Sequence, residues 1–174
     1  MSGPEFYPEE PAGDFPVPPR TITDEGGRSI GIERLDWRAD QEKLVAFYRA
    51  FDPADRAQGL PPVGADRIRR WLTELEDGYD VVARDDETVV GHATLVPDDA
   101  GGYELAIFVL QAYQGAGIGK ELLRTVLGLG QAQDVDRVWL TVERWNHAAV
   151  HIYETAGFET TDAANFELEM SIRI

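Results

Sequence analysis

The sequence predicts a mixed α/β domain built on one central sheet. Strand-like and amphipathic helical segments alternate along the chain in the order β-α-α-β-β-β-α-β-α-β. Apolar residues make up 43% of the 174 residues, enough to bury a sizeable core. A glycine-rich loop, "YQGAGIGKELL" at residues 113–123, joins a strand directly to a helix.

The elements follow in order. Residues 1–27, with "PEFYPEEPAGDFPVPPR", are rich in proline and acid and carry neither helical nor strand periodicity. They read as a disordered tail outside the fold, with Phe6, Tyr7 and Phe15 as the aromatics by which it would dock; residues 28–174 form the domain. "SIGIERL" alternates as a strand. "DWRADQEKLVAFYRAF" places Leu44, Phe47, Tyr48 and Phe51 on one helical face, and turn formers in "DPADRAQGLPPVG" interrupt it. "ADRIRRWLTELEDG" is a second amphipathic helix through Ile68, Trp71, Leu72 and Leu75. "YDVVAR" and "ETVVGHATLVP" are strands joined at Asp85-Asp86, and "DDAGG" turns the chain into the strand "YELAIFVL". The helix after the loop carries Ile118, Leu122, Val126 and Leu129. "DRVWLTV" is a strand and "NHAAVHIYETAGF" a short helix, with Asn146 as N-cap and Gly157 in the left-handed position past its end. "FELEMSIRI" closes the sheet, with room for an extra strand at residues 158–161.

Composition narrows the partners. With 32 acidic residues against 16 basic, the net charge of −16 argues against nucleic acid and anionic membrane. No cysteine is present, which rules out disulfides and thiolate metal sites and fits a cytoplasmic address. No run approaches the length of a transmembrane helix. Lysine occurs only at 43 and 120, and an acidic, lysine-poor surface resembles that of proteins from salt-loving microbes; the alternative is an acidic mesophilic protein. His147 and His151 lie four apart on one helix face, but no third ligand accompanies them, so no metal is expected; His92 reads as a solvated or packing histidine.

A helix rarely begins with glycines at 115, 117 and 119, because each costs roughly 1 kcal/mol against alanine. A helix N-terminus binds phosphate oxygens, and glycine lets backbone amides approach closely. A dinucleotide fingerprint would need glycine at 120, where Lys120 stands; a P-loop would need glycine at 114 and Ser or Thr at 121, where Gln114 and Glu121 stand. What remains is Q-x-x-G-x-G, Gln114 to Gly119. The other reading is that the glycines only permit close helix–strand packing.

This loop, with Asn146, Tyr153 and "ETAGF", resembles the GCN5-related N-acetyltransferase (GNAT) superfamily over residues 29–174, and loosely the catalytic domains of prokaryotic protein-lysine acetyltransferases. The resemblance implies a mixed, mostly antiparallel sheet of six or seven strands, splayed between the family's fourth and fifth strands and flanked by about four helices. It implies acetyl-CoA as co-substrate, with the pyrophosphate on Gln114, Gly115, Ala116, Gly117, Ile118, Gly119 and Lys120. The backbone of Ile107, Phe108 and Val109 would pair with the pantetheine arm, an N–H near Val109 would polarise the thioester carbonyl, and Asn146 would contact the pantetheine or only cap its helix.

Transfer to an amine needs a base, because an amine of pKa about 10.4 is less than about 0.1% neutral at pH 7. Glu104 lies ten residues before Gln114 and, by alternation, shares a face with Ala106 and Phe108. In protein-lysine acetyltransferases of the superfamily a strand-four glutamate near this spacing often serves as base; the alternative is a solvated charge at a strand end. Tyr153 is the candidate acid for the leaving thiolate, or else a core tyrosine. Where members that acetylate protein N-termini carry a glutamate, this chain has Thr141, with Glu143 two residues on as a reserve base. That favours lysine or small-amine acceptors over N-termini. The resemblance implies an acceptor site in residues 51–70, and it is compatible with a homodimer. A non-catalytic acetyl-CoA sensor and a GNAT-fold interaction module are the competing readings.

Overall fold

The computed structural model describes residues 3–56 and 59–174. Eight strands form one sheet in the order β1-β2-β3-β4-β5-β6-β8-β7: β1 (Arg20–Thr23), β2 (Ser29–Arg34), β3 (Tyr79–Asp85), β4 (Thr88–Pro97), β5 (Tyr103–Val109), β6 (Arg137–Glu143), β7 (Glu159–Ala163) and β8 (Glu167–Arg173). All neighbours are antiparallel except β5 and β6. Four helices flank the sheet: α1 (Trp37–Arg49), α2 (Ala65–Leu75), α3 (Ile118–Ala132) and α4 (His147–Ala156). None of the described helices is long and apolar enough to cross a membrane.

Local sequence sets the helix ends. The Asp36 carboxylate accepts from the amides of Arg38 and Ala39 at 3.0 and 3.2 Å, starting α1. Asn146 does the same for α4, accepting from the Ala149 N–H at 3.3 Å, and Gly157 closes that helix with φ +112°.

The helices divide between the faces. On one face α3 buries Ile118, Leu122, Leu123, Val126 and Leu127 against Ile30, Val81, Leu95, Leu140 and Met170, and α4 packs at its edge through Ile152 and Tyr153. On the other, α1 and α2 bury Leu44, Phe47, Tyr48, Ile68 and Leu72 against Val82 and Val89. Each fully buried Leu or Ile contributes roughly 1.5–3 kcal/mol.

The structure departs from the sequence reading at the amino end. Residues 20–23, expected within a tail outside the fold, pair with β2 as strand β1, and this strand and β7 bring the sheet to eight. Residues 3–19 lie against the domain without regular structure: the Pro8 carbonyl accepts from Arg173 at 2.8 Å, and the Ala12 N–H donates to the Arg173 carbonyl at 2.9 Å. Of the tail's aromatics, Tyr7 lies under Arg137 at 5.5 Å and Phe15 packs on the core, whereas Phe6 stays exposed; such isolated contacts leave no periodicity, and a four-residue edge strand is too short to show one. Met1 and Ser2 lie outside the described residues.

Candidate active site

The sheet forks where the sequence places its central loop. β5 pairs with β4 along its whole length, from Tyr103 opposite Pro97 to Val109 opposite Gly91. On its other side β5 meets β6 at only two positions, Tyr103 with Val138 and Glu104 with Trp139. Beyond Glu104 the strands diverge around a cleft of about 630 Å³. The bond from the Leu110 N–H to the Val90 carbonyl, 3.0 Å, fixes the phase of β5. By strand alternation the amides of Ile107 and Val109 therefore face the fork, while those of even-numbered residues serve β4. A strand edge left unpaired inside a cleft accepts an extended ligand.

The fork's upper end is the glycine loop. A 3-10 turn, Gln111–Tyr113, leads into it. Gly115 and Gly117 adopt φ of +71° and +88°, a region L side chains avoid, and Gly117 is the N-cap of α3. Gly119 differs: its φ is ordinary, and an added Cβ would sit 3.9 Å from Val109 Cγ2 in normal contact. Close helix–strand packing therefore does not require glycine at 119. The first-turn amides of Ile118, Gly119 and Lys120 have no carbonyl one turn back, so this end of α3 is fit to hold an anion. Gln114 sits otherwise than a phosphate ligand would: its side-chain amide donates to the Val109 carbonyl at 3.0 Å and ties the loop to the end of β5. The Ala116 carbonyl accepts from the Glu25 N–H at 2.9 Å, so the segment before β2 also holds the loop.

Glu104 occupies the last paired position, at the base of the fork. Burial pushes its carboxyl above the ordinary value, and the Asp98 charge adds to this. Its proton affinity thus moves in the direction that suits a base near neutrality. On the opposite walls stand Glu143 of β6 and, from α4, Tyr153, whose hydroxyl burial pushes up to about 12. The Tyr153 ring packs on Phe158 at 5.7 Å between centroids. Asn146, the α4 cap, lines the cleft as well. Glu104, Ile107, Phe108, Val109, the loop from Gln114 to Lys120, Asn146 and Tyr153 thus come to one cleft or to the loop that borders it; Ile118 itself turns into the core.

The far wall comes from the segment between α1 and α2, where Phe51, Arg56 and Leu60 line the cleft. Arg56 donates to the carbonyls of Pro61 at 2.8 Å and Gly59 at 3.3 Å, and holds the segment's curvature. Of the acceptor stretch expected at 51–70, Ala57 and Gln58 lie outside the described residues.

One arrangement beneath this wall escaped the sequence reading. His92, expected as a solvated or packing residue, is fully buried and joins two partners. Its Nε2–H donates to Asp80 Oδ1 at 2.7 Å, and its Nδ1 accepts from the Tyr48 hydroxyl. The Tyr48 ring meets Phe108 edge-on at 5.4 Å, so this polar chain supports the floor of the cleft. Nothing local in the sequence links these residues, because each comes from a different element.

Residues 44–158 match the model of the acetyltransferase (GNAT) family. The chain belongs to this family. It is 37% identical over 124 residues to a mycothiol acetyltransferase of Propionibacterium freudenreichii subsp. shermanii; the match takes in 68% of this chain and 40% of that protein. This GNAT chain therefore spans about two fifths of the length of the curated relative it matches. Its fold is similar to the GNAT domain of S. lividans PAT, with TM-score 0.75 at 16% identity over 90% of this chain and 97% of the other. It is likewise similar to yncA of Salmonella typhimurium, solved with its cofactor acetyl-CoA, with TM-score 0.68 at 19% identity over 83% and 93%.

Proposed function

We propose that this protein transfers the acetyl group of acetyl-CoA directly to a primary amine, a protein lysine or a small cationic amine, in a ternary complex. The observation that carries the reading is the fork: a cleft with free strand amides, a phosphate-fit helix end at one extremity and a half-buried carboxyl of raised proton affinity at its base. Acetyl-CoA, when bound, supplies an acetyl group activated as a thioester. In this reading the amides of Gly117, Gly119 and Lys120 take the pyrophosphate, and the β5 edge at Ile107 and Val109 pairs with the pantetheine arm. An amide of that edge, aimed into the fork, polarises the thioester carbonyl. Glu104 accepts a proton from the acceptor ammonium, freeing the nitrogen lone pair for attack. The C–N bond forms and the C–S bond breaks; the second proton shed by the nitrogen goes to the departing sulfur, which leaves as the thiol, and the Tyr153 hydroxyl donates a hydrogen bond to that sulfur as its charge develops.

The excess of acid, −16 overall, favours a cationic acceptor. The 37% identical relative supports a second reading, an acceptor within mycothiol chemistry. Calorimetric titration of acetyl-CoA at molar potassium chloride tests the donor, with Gly117→Glu as control. Binding in the micromolar range that the control abolishes supports the reading and justifies an amine screen by thiol release. No binding by a folded wild type would leave an interaction module. Binding without turnover of any amine would leave a sensor.

A further inference from the structure

The glycine loop has few fasteners of its own. Gly115 and Gly117 hold positive φ, and no side chain caps the first turn of α3. A glycine-rich turn is free to take many shapes, so an anion binding there would first have to order it. The segment that joins β1 to β2, residues 24–28, meets this loop from outside at three points. The Glu25 N–H donates to the Ala116 carbonyl at 2.9 Å, and Arg28 Nη1 donates to the Ala112 carbonyl at 3.3 Å. The Arg28 guanidinium also lies 4.2 Å from the centre of the Tyr113 ring.

Arg28 is built into that turn. Its backbone N–H and its Nε–H donate to the two carboxylate oxygens of Asp24 at 2.8 and 2.7 Å, and the Asp24 side chain is fully buried. The Asp24 N–H donates in turn to the Arg28 carbonyl at 2.9 Å. A buried carboxylate is tolerated only while such donors surround it, so the turn and the Arg28 side chain hold one another in place. Tyr113 is fixed from its far end, its hydroxyl donating to Asp85 at 2.7 Å. Arg20 of β1 pairs with Glu121 at 2.8 Å and donates to Thr125 at 2.9 Å, which docks the hairpin on the first half of α3. The β1–β2 hairpin thus grips the chain before the glycines, between them and after them.

We infer that the turn at residues 24–28 is a clamp that holds the glycine loop in its anion-binding shape, with Arg28 as the positioning residue at its centre. The inference rests on the donor reading, in which the loop takes the pyrophosphate of acetyl-CoA. Both hydrogen bonds from the turn fall on loop carbonyls, and the third contact is a ring face. None of them uses an amide that an anion would need, so the first-turn N–H groups of α3 stay open to it. With the loop held this way it is ordered on folding and not on binding, which is where preorganisation gains affinity. Loss of the clamp weakens the hold on the phosphates and leaves the strand edge at Ile107 and Val109 as it was.

The test titrates coenzyme A into wild type, Arg28→Ala and Arg28→Lys, each first shown to be folded by circular dichroism, and follows amide hydrogen exchange in the ligand-free proteins. Arg28→Ala raises the Kd about tenfold. It also speeds exchange at Glu25, Tyr113 and Gln114, whose amides are bonded within the turn and the loop, while the amides of β4 and α2 keep wild-type rates. Arg28→Lys keeps a cation over the Tyr113 ring but cannot span Asp24 and Ala112 together, and raises the Kd about threefold; it carries the same comparison if the alanine variant does not fold. An unchanged Kd overturns the inference. Faster exchange spread equally through β4 and α2 does so too, as the mark of a general loss of stability. A higher Kd with loop exchange as in wild type would make Arg28 a direct phosphate contact and not a clamp. A wild type that binds no coenzyme A sinks the donor reading, a separate failure, and the exchange rates then still decide whether the clamp exists.

Discussion

Tyr153→Phe separates two jobs a buried tyrosine might do at a departing thiolate. Burial pushes the hydroxyl up to about 12, whereas a thiol releases its proton near 8.5. Outright transfer from Tyr153 to sulfur would thus run uphill by about 3.5 pKa units, or about 5 kcal/mol. A hydrogen bond to the developing charge carries no such penalty and is worth about 1.5–3 kcal/mol. The structure therefore predicts a loss of roughly 10- to 150-fold in kcat, with acetyl-CoA affinity unchanged because the bond forms only as charge develops. Stopped-flow thiol release measures kcat, and calorimetry measures affinity. A loss of about 10⁴-fold or more would show that proton transfer itself is at stake. An unchanged kcat would remove Tyr153 from the reaction.

Three further outcomes are expected. Glu104→Gln lowers kcat/KM by about 10²–10⁴ and abolishes the rise of the pH–rate profile that its ionisation produces; a retained rise would move the base to Glu143 or to water. The same change raises the Tm at pH 7. The raised Glu104 carboxyl penalises the folded state above its folded value and not below the unfolded value of about 4.3, so equal Tm values for the two proteins near pH 3 and a higher one for the variant at pH 7 are the check. Tyr48→Phe strands His92 Nδ1 in the core, costs about 1–3 kcal/mol and lowers the Tm by roughly 3–10 °C in a calorimetric scan, with the Kd for acetyl-CoA unchanged. Raising potassium chloride from about 0.1 to 1 M shortens the Debye length from about 10 to 3 Å and raises the Tm of this −16 chain; a flat response would speak against repulsion as the dominant surface effect.

Much of the fold was legible because its signals are local. The face of α3 through Ile118, Leu122 and Val126, the Asn146 cap and the left-handed Gly157 each depend on residues within one or two turns. The loop was legible because Gly115 and Gly117 need positive φ there. The Tyr48–His92–Asp80 chain was not, since its members lie 44 and 12 residues apart and only sheet register joins them. The tail was misread for a related reason. Its order comes from Gly128 and Gln131, residues of the domain whose role is visible only with the tail against them. Gln114 is a third case: the sequence places it at the start of the loop, while its side chain serves the Val109 carbonyl.

The fork has a mechanical side. Past Glu104 the sheet is two leaves joined at one end by two register pairs. Residues 3–16 touch both leaves. The Tyr7 hydroxyl lies 2.6 Å from where a Cβ of Gly102 would stand, on the leaf of β4 and β5, while the Phe6 and Pro8 carbonyls accept from Ser171 and Arg173 on the leaf of β8. The same segment then returns to the first leaf at α3, where the Pro16 carbonyl stands against Gly128. It therefore stitches the joined end of the sheet, as a rivet sets the throw of a pair of tongs. The segment that bridges the two leaves lies far in sequence from the gap that would admit a thioester, and none of its residues lines the cleft.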